Sequence, residues 1–246
     1  LIDFNNGDIM FKQLFAILFL IFSPTIANAF EDKPLILDKS YVKLGYGFVH
    51  LPENNNVTQG NGDGAIDNTF PDAKYDFKYD AGSSFSIAAG NRFQNFAFEL
   101  SIDQIVCDID SVTSDTAIKT TSGDVSLRTI MINALYYPNF LKFNKTNIYL
   151  GAGVGITEKV DLDESGITGS RARSNLSFKS SSDLFNPTYQ FILGAEYSMN
   201  NYISLYSEVK NTIVKSVHLA RGSSKETYGS MEMNPMSAVI GIKFSF

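Results

Sequence analysis

The chain holds a single cysteine, no tryptophan and two histidines among its 246 residues. With Cys107 alone there is no intrachain disulfide, so the compartment cannot be argued from bridges. Acidic side chains outnumber basic ones, 26 against 20, for a formal charge of −6. That balance leaves no basic stripe of the kind nucleic-acid binding requires. Past the amino terminus no continuous apolar run reaches the ~18 residues of a membrane-crossing helix, which argues against a helical membrane protein. His50 and His218 offer little material for a metal site, or for holding a Ser or Cys nucleophile. Asp161 to Gly166 spaces oxygen ligands like a calcium loop, but Ala172 stands where a bidentate Glu is needed. Asn61 to Gly64 fails in the same way at Phe70. The Gly-x-Gly-x-Gly run from Gly151 to Gly155 lies inside a strand pattern with no helix after it, so it is no nucleotide fingerprint. No enzyme is expected, and no cofactor or metal.

What is present begins at Met10. Lys12 gives a positive start, Leu14 to Phe22 an apolar core, and Ala27-Asn28-Ala29 a small-residue cleavage site. Residues 1–29 are therefore expected to be a signal peptide with an upstream extension, Leu1 to Ile9. The mature domain is expected over 30–246, outside the cytoplasm.

The mature chain alternates. From Met236 to Phe246, Met236, Ala238, Ile240, Ile242, Phe244 and Phe246 share one face, while Ser237, Val239, Gly241, Lys243 and Ser245 share the other. A period of two over that length is a strand with one apolar face. The same pattern recurs over Tyr41–His50, Ala81–Gly90, from Phe96 to Asp103, Thr129–Tyr137, Asn147–Ile156, Tyr189–Ser198 and Tyr202–Lys210. After Asp103 the apolar set shifts to Ile105, Cys107 and Ile109, which reads as a bulge or the rim of the sheet. Eight strands result. Their connections alternate long and short: Leu51–Lys78, Ser111–Asp124, Glu158–Asn186 and Lys215–Asn234 are long and polar. Short turns on one side and long loops on the other are the pattern of an outer-membrane barrel.

The face opposite the apolar one is small and charged. Gly45, Gly47, Gly82, Gly90, Gly151, Gly153, Gly155, Gly194 and Gly241 lie on it. Among them are Lys43, Glu99, Glu196, Glu208, Lys210 and Lys243, a candidate lumen charge network. Small residues there would let the rings of Tyr149, Tyr202 and Tyr206 fold inward. An unpaired charge inside would be costly, so these groups must pair or stay hydrated. A salt-bridge plug and a narrow solute path both fit. The width of an eight-stranded barrel favours the plug.

The run Asn133-Ala134-Leu135-Tyr136-Tyr137, a short turn, and then Tyr149-Leu150-Gly151-Ala152-Gly153-Val154-Gly155 resembles the central hairpin of OmpA-like and opacity-type small outer-membrane barrels. Surface-antigen barrels of intracellular bacteria are similar. Phe96-Ala97-Phe98-Glu99-Leu100 is similar to the strand in those proteins that carries an inward Glu. The closing strand resembles theirs too, which implies that Phe244 and Phe246 act as an assembly signal. The resemblance implies an eight-stranded antiparallel transmembrane β-barrel in the cell outer membrane. It implies a structural and interaction role through the external loops: adhesion, host or immune contact, or envelope integrity. The alternative is a narrow porin-like channel. The partners implied are outer-membrane lipid, the barrel-assembly machinery and host-cell surface molecules, with no nucleic acid and a monomeric state.

Overall fold

The computed structural model describes residues 39–58, 74–114, 122–165, 178–180, 186–221 and 227–246. The signal-peptide reading of 1–29 and the Asn61 motif lie outside the described residues. Eight strands form a wall: β1 (Lys39–His50), β2 (Gly82–Phe93), β3 (Phe96–Ser114), β4 (Ser122–Tyr136), β5 (Thr146–Ser165), β6 (Asn186–Ser198), β7 (Ile203–Arg221) and β8 (Met236–Ser245). Each pairs antiparallel with the next in sequence. Strand β8 then pairs back onto β1 without a break, from Tyr41↔Ser245 to His50↔Met236. The sheet is a closed barrel.

Closure follows from what each wall face must meet. Phe48 is 75% exposed and Ile240 71%, and both point away from the barrel axis with Leu44, Ile132, Val154 and Phe191. Exposed apolar residues in every other position form a lipid-facing band, and a sheet in hydrocarbon must leave no unpaired edge. The inward residues are correspondingly buried.

The strands run past the sequence-expected ends. About 9–11 residues cross the hydrocarbon, yet β3 and β7 have 19 residues each and β5 has 20. The outer parts of these strands, with Asn54–Thr58, Lys74–Tyr79, Phe178–Ser180 and Thr227–Met233, occupy segments expected to be loops. Asp161–Ser165, considered as part of a calcium loop, belongs to β5. Beyond the membrane the outer face of a ladder meets water while its inner face stays packed, with Phe77, Ile109, Val125 and Met233 buried, so the apolar set moves to the other face while backbone pairing continues.

Two further expectations change. Strand β3 keeps unbroken register with β2 and β4 from Phe96 past Ile105, so the shift of apolar residues there is no bulge; its register shift comes further out, where Tyr79 pairs with Ile109 but Lys78 with Ser111. Glu99, Asp103, Ile105, Cys107 and Ile109 are all buried, on one face throughout. What changes after Asp103 is the chemistry of the lumen, which turns from polar to apolar. A register shift does occur on β5, opposite Arg128 and Thr129. Tyr202 is 69% exposed at the β6–β7 turn and does not enter the lumen.

Glycines make room for the rings that do. A β-carbon at Gly194 would collide with the ring of Tyr149, and one at Gly45 or Gly241 with the ring of Tyr206. Gly45 and Gly241 are cross-strand partners, so the Tyr206 ring lies over a pair of bare backbone positions. Gly194→Val should therefore expel Tyr149 and lower stability by about 1–3 kcal/mol or more, the range for overpacking. Ala195→Val, one residue on and on the opposite wall face, should change little. Urea unfolding in detergent, read by heat-modifiable gel migration, checks both; equal midpoints would contradict this packing.

Candidate functional site: a charged and aromatic lumen

The lumen is layered. Near the short-turn end, Tyr41, Ala97, Leu135, Tyr137, Tyr149 and Ile192 form one buried cluster. Near the opposite end, Leu51, Phe77, Ile105, Cys107, Leu127 and Met233 belong to a second. Charged side chains fill the space between. This order follows from the strands: each inward position alternates with a lipid-facing one, so every second residue contributes to one level of the filling.

Glu208 of β7 is the hub. Its carboxylate accepts from the Lys43 ammonium of β1 and, at 2.6 Å, from the Tyr149 hydroxyl of β5. Lys210 lies 3.5 Å from its other oxygen. Lys43 Nζ also donates to Glu99 Oε2 at 3.2 Å and sits 4.7 Å from the centre of the Tyr206 ring. Glu99 accepts further from Tyr41 Oη at 3.1 Å and Asn133 Nδ2 at 3.4 Å. Lys210 Nζ donates to Asp103 Oδ1 at 2.8 Å and Ser86 Oγ at 3.0 Å. Lys243 of β8 pairs with Glu196 of β6 at 2.8 Å, with its ammonium 4.2 Å from the centre of the Tyr41 ring.

All six charges expected from the sequence are thus inside, 5% exposed or less. Lys43, Glu99, Glu208 and Lys210 form one connected group, and Lys243–Glu196 is a separate pair. Lys43 and Lys243 face each other in register, an arrangement that repels. Each ammonium instead turns to its own carboxylate and its own ring. Sequence reasoning left Asp103, Tyr41 and Tyr137 out of the site. Asp103 shares the face of Glu99 and Tyr41 that of Lys43, so parity alone would have included them. With Asp103 the buried set has four carboxylates against three ammonium groups. The half-buried Arg92 guanidinium, 3.8 Å over the Tyr137 ring, adds positive charge at the short-turn end.

A buried carboxylate without a partner costs several kcal/mol; Glu99, Glu208 and Asp103 have two or three donors each, and Glu196 has Lys243. The arrangement therefore neutralises charge and fills the space. His50 ends β1 and His218 lies on β7, on separate strands. Phe244 and Phe246 stand on the outer face, 41% and 66% exposed, and the Phe246 N–H donates to the Ser40 carbonyl at 3.0 Å.

A closed antiparallel barrel with a lipid-facing apolar band and a polar interior defines an outer-membrane β-barrel protein. The chain belongs to the outer membrane protein beta-barrel domain family, whose model matches residues 15–246. Its place is the outer membrane. The outer membrane protein OprG from Pseudomonas aeruginosa is similar in structure, with a TM-score of 0.54 at 14% identity, covering 85% of this chain and 95% of that one. Neisserial surface protein A gives a TM-score of 0.47 at 14% identity, over 84% of this chain and 97% of that one. The Escherichia coli outer membrane protease OmpT gives 0.47 at 9%, over 88% and 99%. Likeness at these identities concerns the fold alone. No curated protein matches the sequence. Barrels of this kind include adhesins, porins and transporters, and most of the similar structures are not enzymes.

The separate Lys243–Glu196 pair gives a clean test of the lumen energetics. Lys243→Met should destabilise by about 3–5 kcal/mol, because it strands the Glu196 carboxylate in a dry interior. Adding Glu196→Gln should restore much of that loss. Urea midpoints of the single and double variants form the cycle; additive losses would mean that the two groups do not depend on each other.

Proposed function

We propose that this protein is a sealed outer-membrane barrel that works at the cell surface through its external loops. Its role in this reading is structural and interactive: adhesion, host or immune contact, or envelope integrity. The observation that carries it is the centre of the lumen. Lys43, Glu99, Glu208 and Lys210 are each at most 3% exposed, although they sit midway through the barrel. Side chains lining a continuous water path would be wet. These are packed against one another and against the Tyr149 and Tyr206 rings. The external layer of apolar side chains adds a second barrier to ions. The ladders that extend past the membrane support the same reading, since they lift the loops off the lipid surface. Outer-membrane lipid, the barrel-assembly machinery and host-cell surface molecules are the proposed partners. A monomer suffices, because a closed wall offers no strand edge. Phe244 and Phe246 are proposed as the signal read during assembly.

Two measurements test this. Purified protein in planar bilayers should give no steady conductance, and a stable nanosiemens-scale conductance would instead establish the narrow-channel alternative. Protease shaving of intact cells should cut only within Leu51–Lys78, Ser111–Asp124, Glu158–Asn186 and Lys215–Asn234. Cuts at Asn91–Asn95 in intact cells would invert the topology and remove the surface role.

A further inference from the structure

The longest of the short turns joins β4 to β5 and carries an unusual set of side chains. Between Pro138 and Thr146 the sequence is Asn-Phe-Leu-Lys-Phe-Asn-Lys. Phe140 is 78% exposed and Phe143 58%. Lys142 and Lys145 are exposed as well, and neither has a carboxylate partner among the described residues. The turn contains no acidic residue. It is an ordered element: Asn139–Leu141 form a 3₁₀ turn closed by the Leu141 N–H on the Pro138 carbonyl. Lys142 and Phe143 then pair with Asn147 and Thr146, around Asn144 at a φ of 50°. The Lys145 carbonyl accepts from the Ser198 N–H of β6.

That pairing sets the direction of Phe143. It shares the wall face of Thr146, and therefore of Ile148 and Leu150, so its ring continues the lipid-facing band at its lower margin. Charge at the two ends of the barrel differs in sign. Among the described residues, Asp80, Asp108 and Asp110 are exposed at the long-loop end, where Glu53 and Glu232 are balanced by Lys78 and Lys215, whereas Lys142 and Lys145 lie at the short-turn end. An exposed aromatic ring at the margin of the hydrocarbon, flanked by unpaired ammonium groups, fits a head-group layer of negative charge.

We propose that the Pro138–Thr146 turn is a lipid contact that selects anionic phospholipid head groups in the periplasmic leaflet. The two rings enter the interface and Lys142 and Lys145 recruit the phosphates. Each lysine near an anionic surface is expected to raise local enrichment about fivefold. The partner is the lipid surface rather than a periplasmic protein, because Phe143 is continuous with the wall that lipid already covers.

The absence of tryptophan makes the test direct. Phe143→Trp introduces a single reporter into the full barrel, folded in phosphatidylcholine vesicles and checked by heat-modifiable migration. Brominated phosphatidylglycerol and brominated phosphatidylcholine are compared as quenchers at the same low mole fraction. The expected result is a blue-shifted emission with quenching several-fold stronger by the brominated phosphatidylglycerol. Lys142→Gln with Lys145→Gln in the same background should bring the two quenchers to equal strength while the emission stays blue-shifted. Equal quenching before the lysines are replaced would overturn the proposal. So would a preference that survives their replacement, or a water-exposed spectrum that neither quencher affects.

Discussion

Every feature of this protein depends on one constraint: a backbone inside hydrocarbon cannot leave a donor or acceptor unpaired. Each orphan group costs several kcal/mol there. Eight antiparallel strands meet the constraint only if the last pairs with the first, as β8 does with β1 over ten residue pairs. Closure fixes the diameter, and the diameter fixes what the interior can be. Eight strands enclose a space that side chains fill, not one that water fills. The glycines, the rings of Tyr149 and Tyr206 and the buried lysines are consequences of that limit. Bare backbone on one strand makes room for a large ring from another.

The wall's alternation was legible from the sequence, because a residue pointing at lipid and one pointing at the lumen answer to opposite rules. Positions such as Phe48 and Gly47, or Ile242 and Lys243, separate cleanly. Strand ends were not legible. Past Asp103 the lumen turns apolar while the outer face turns polar: Gln104 and Arg128 bond to each other there, with Gln104 also reaching Ser126. A pattern that exchanges its faces looks like a slip of register, so Ile105 to Ile109 read in the sequence as a bulge or as the rim of the sheet. Tyr202 was misplaced for a related reason. It extends the parity of β7 by two residues, but Asn200 captures the Tyr202 and Ile203 N–H groups at 2.8 Å and ends the strand there.

The site was legible as a list and hidden as a network. Parity identifies which charges face inward; it does not say which carboxylate meets which ammonium. Lys43 meets Glu99 of β3 and Glu208 of β7, 56 and 165 residues away. Its in-register neighbour is another lysine. Such contacts depend on side-chain reach across the lumen, which the linear sequence does not contain.

Those long separations give the network a role that an apolar filling would lack. Suppose β1 slipped by one residue against β8. Every side chain on the strand would change face. Lys43 would enter hydrocarbon, at a cost of about 2–4 kcal/mol near the midplane. Glu99 and Glu208 would lose their ammonium, and Leu44 would replace it against two carboxylates. An apolar lumen would tolerate the same slip far better, since one methylene surface resembles another. The buried pairs add little net stability over well-packed hydrophobic residues. Their contribution is to the difference between the right register and the next one. Because Lys43 needs partners from β3 and β7, that difference is felt only when the barrel has closed. The charges at the centre of the lumen thus make closure in the correct register the single arrangement in which each has a counterpart.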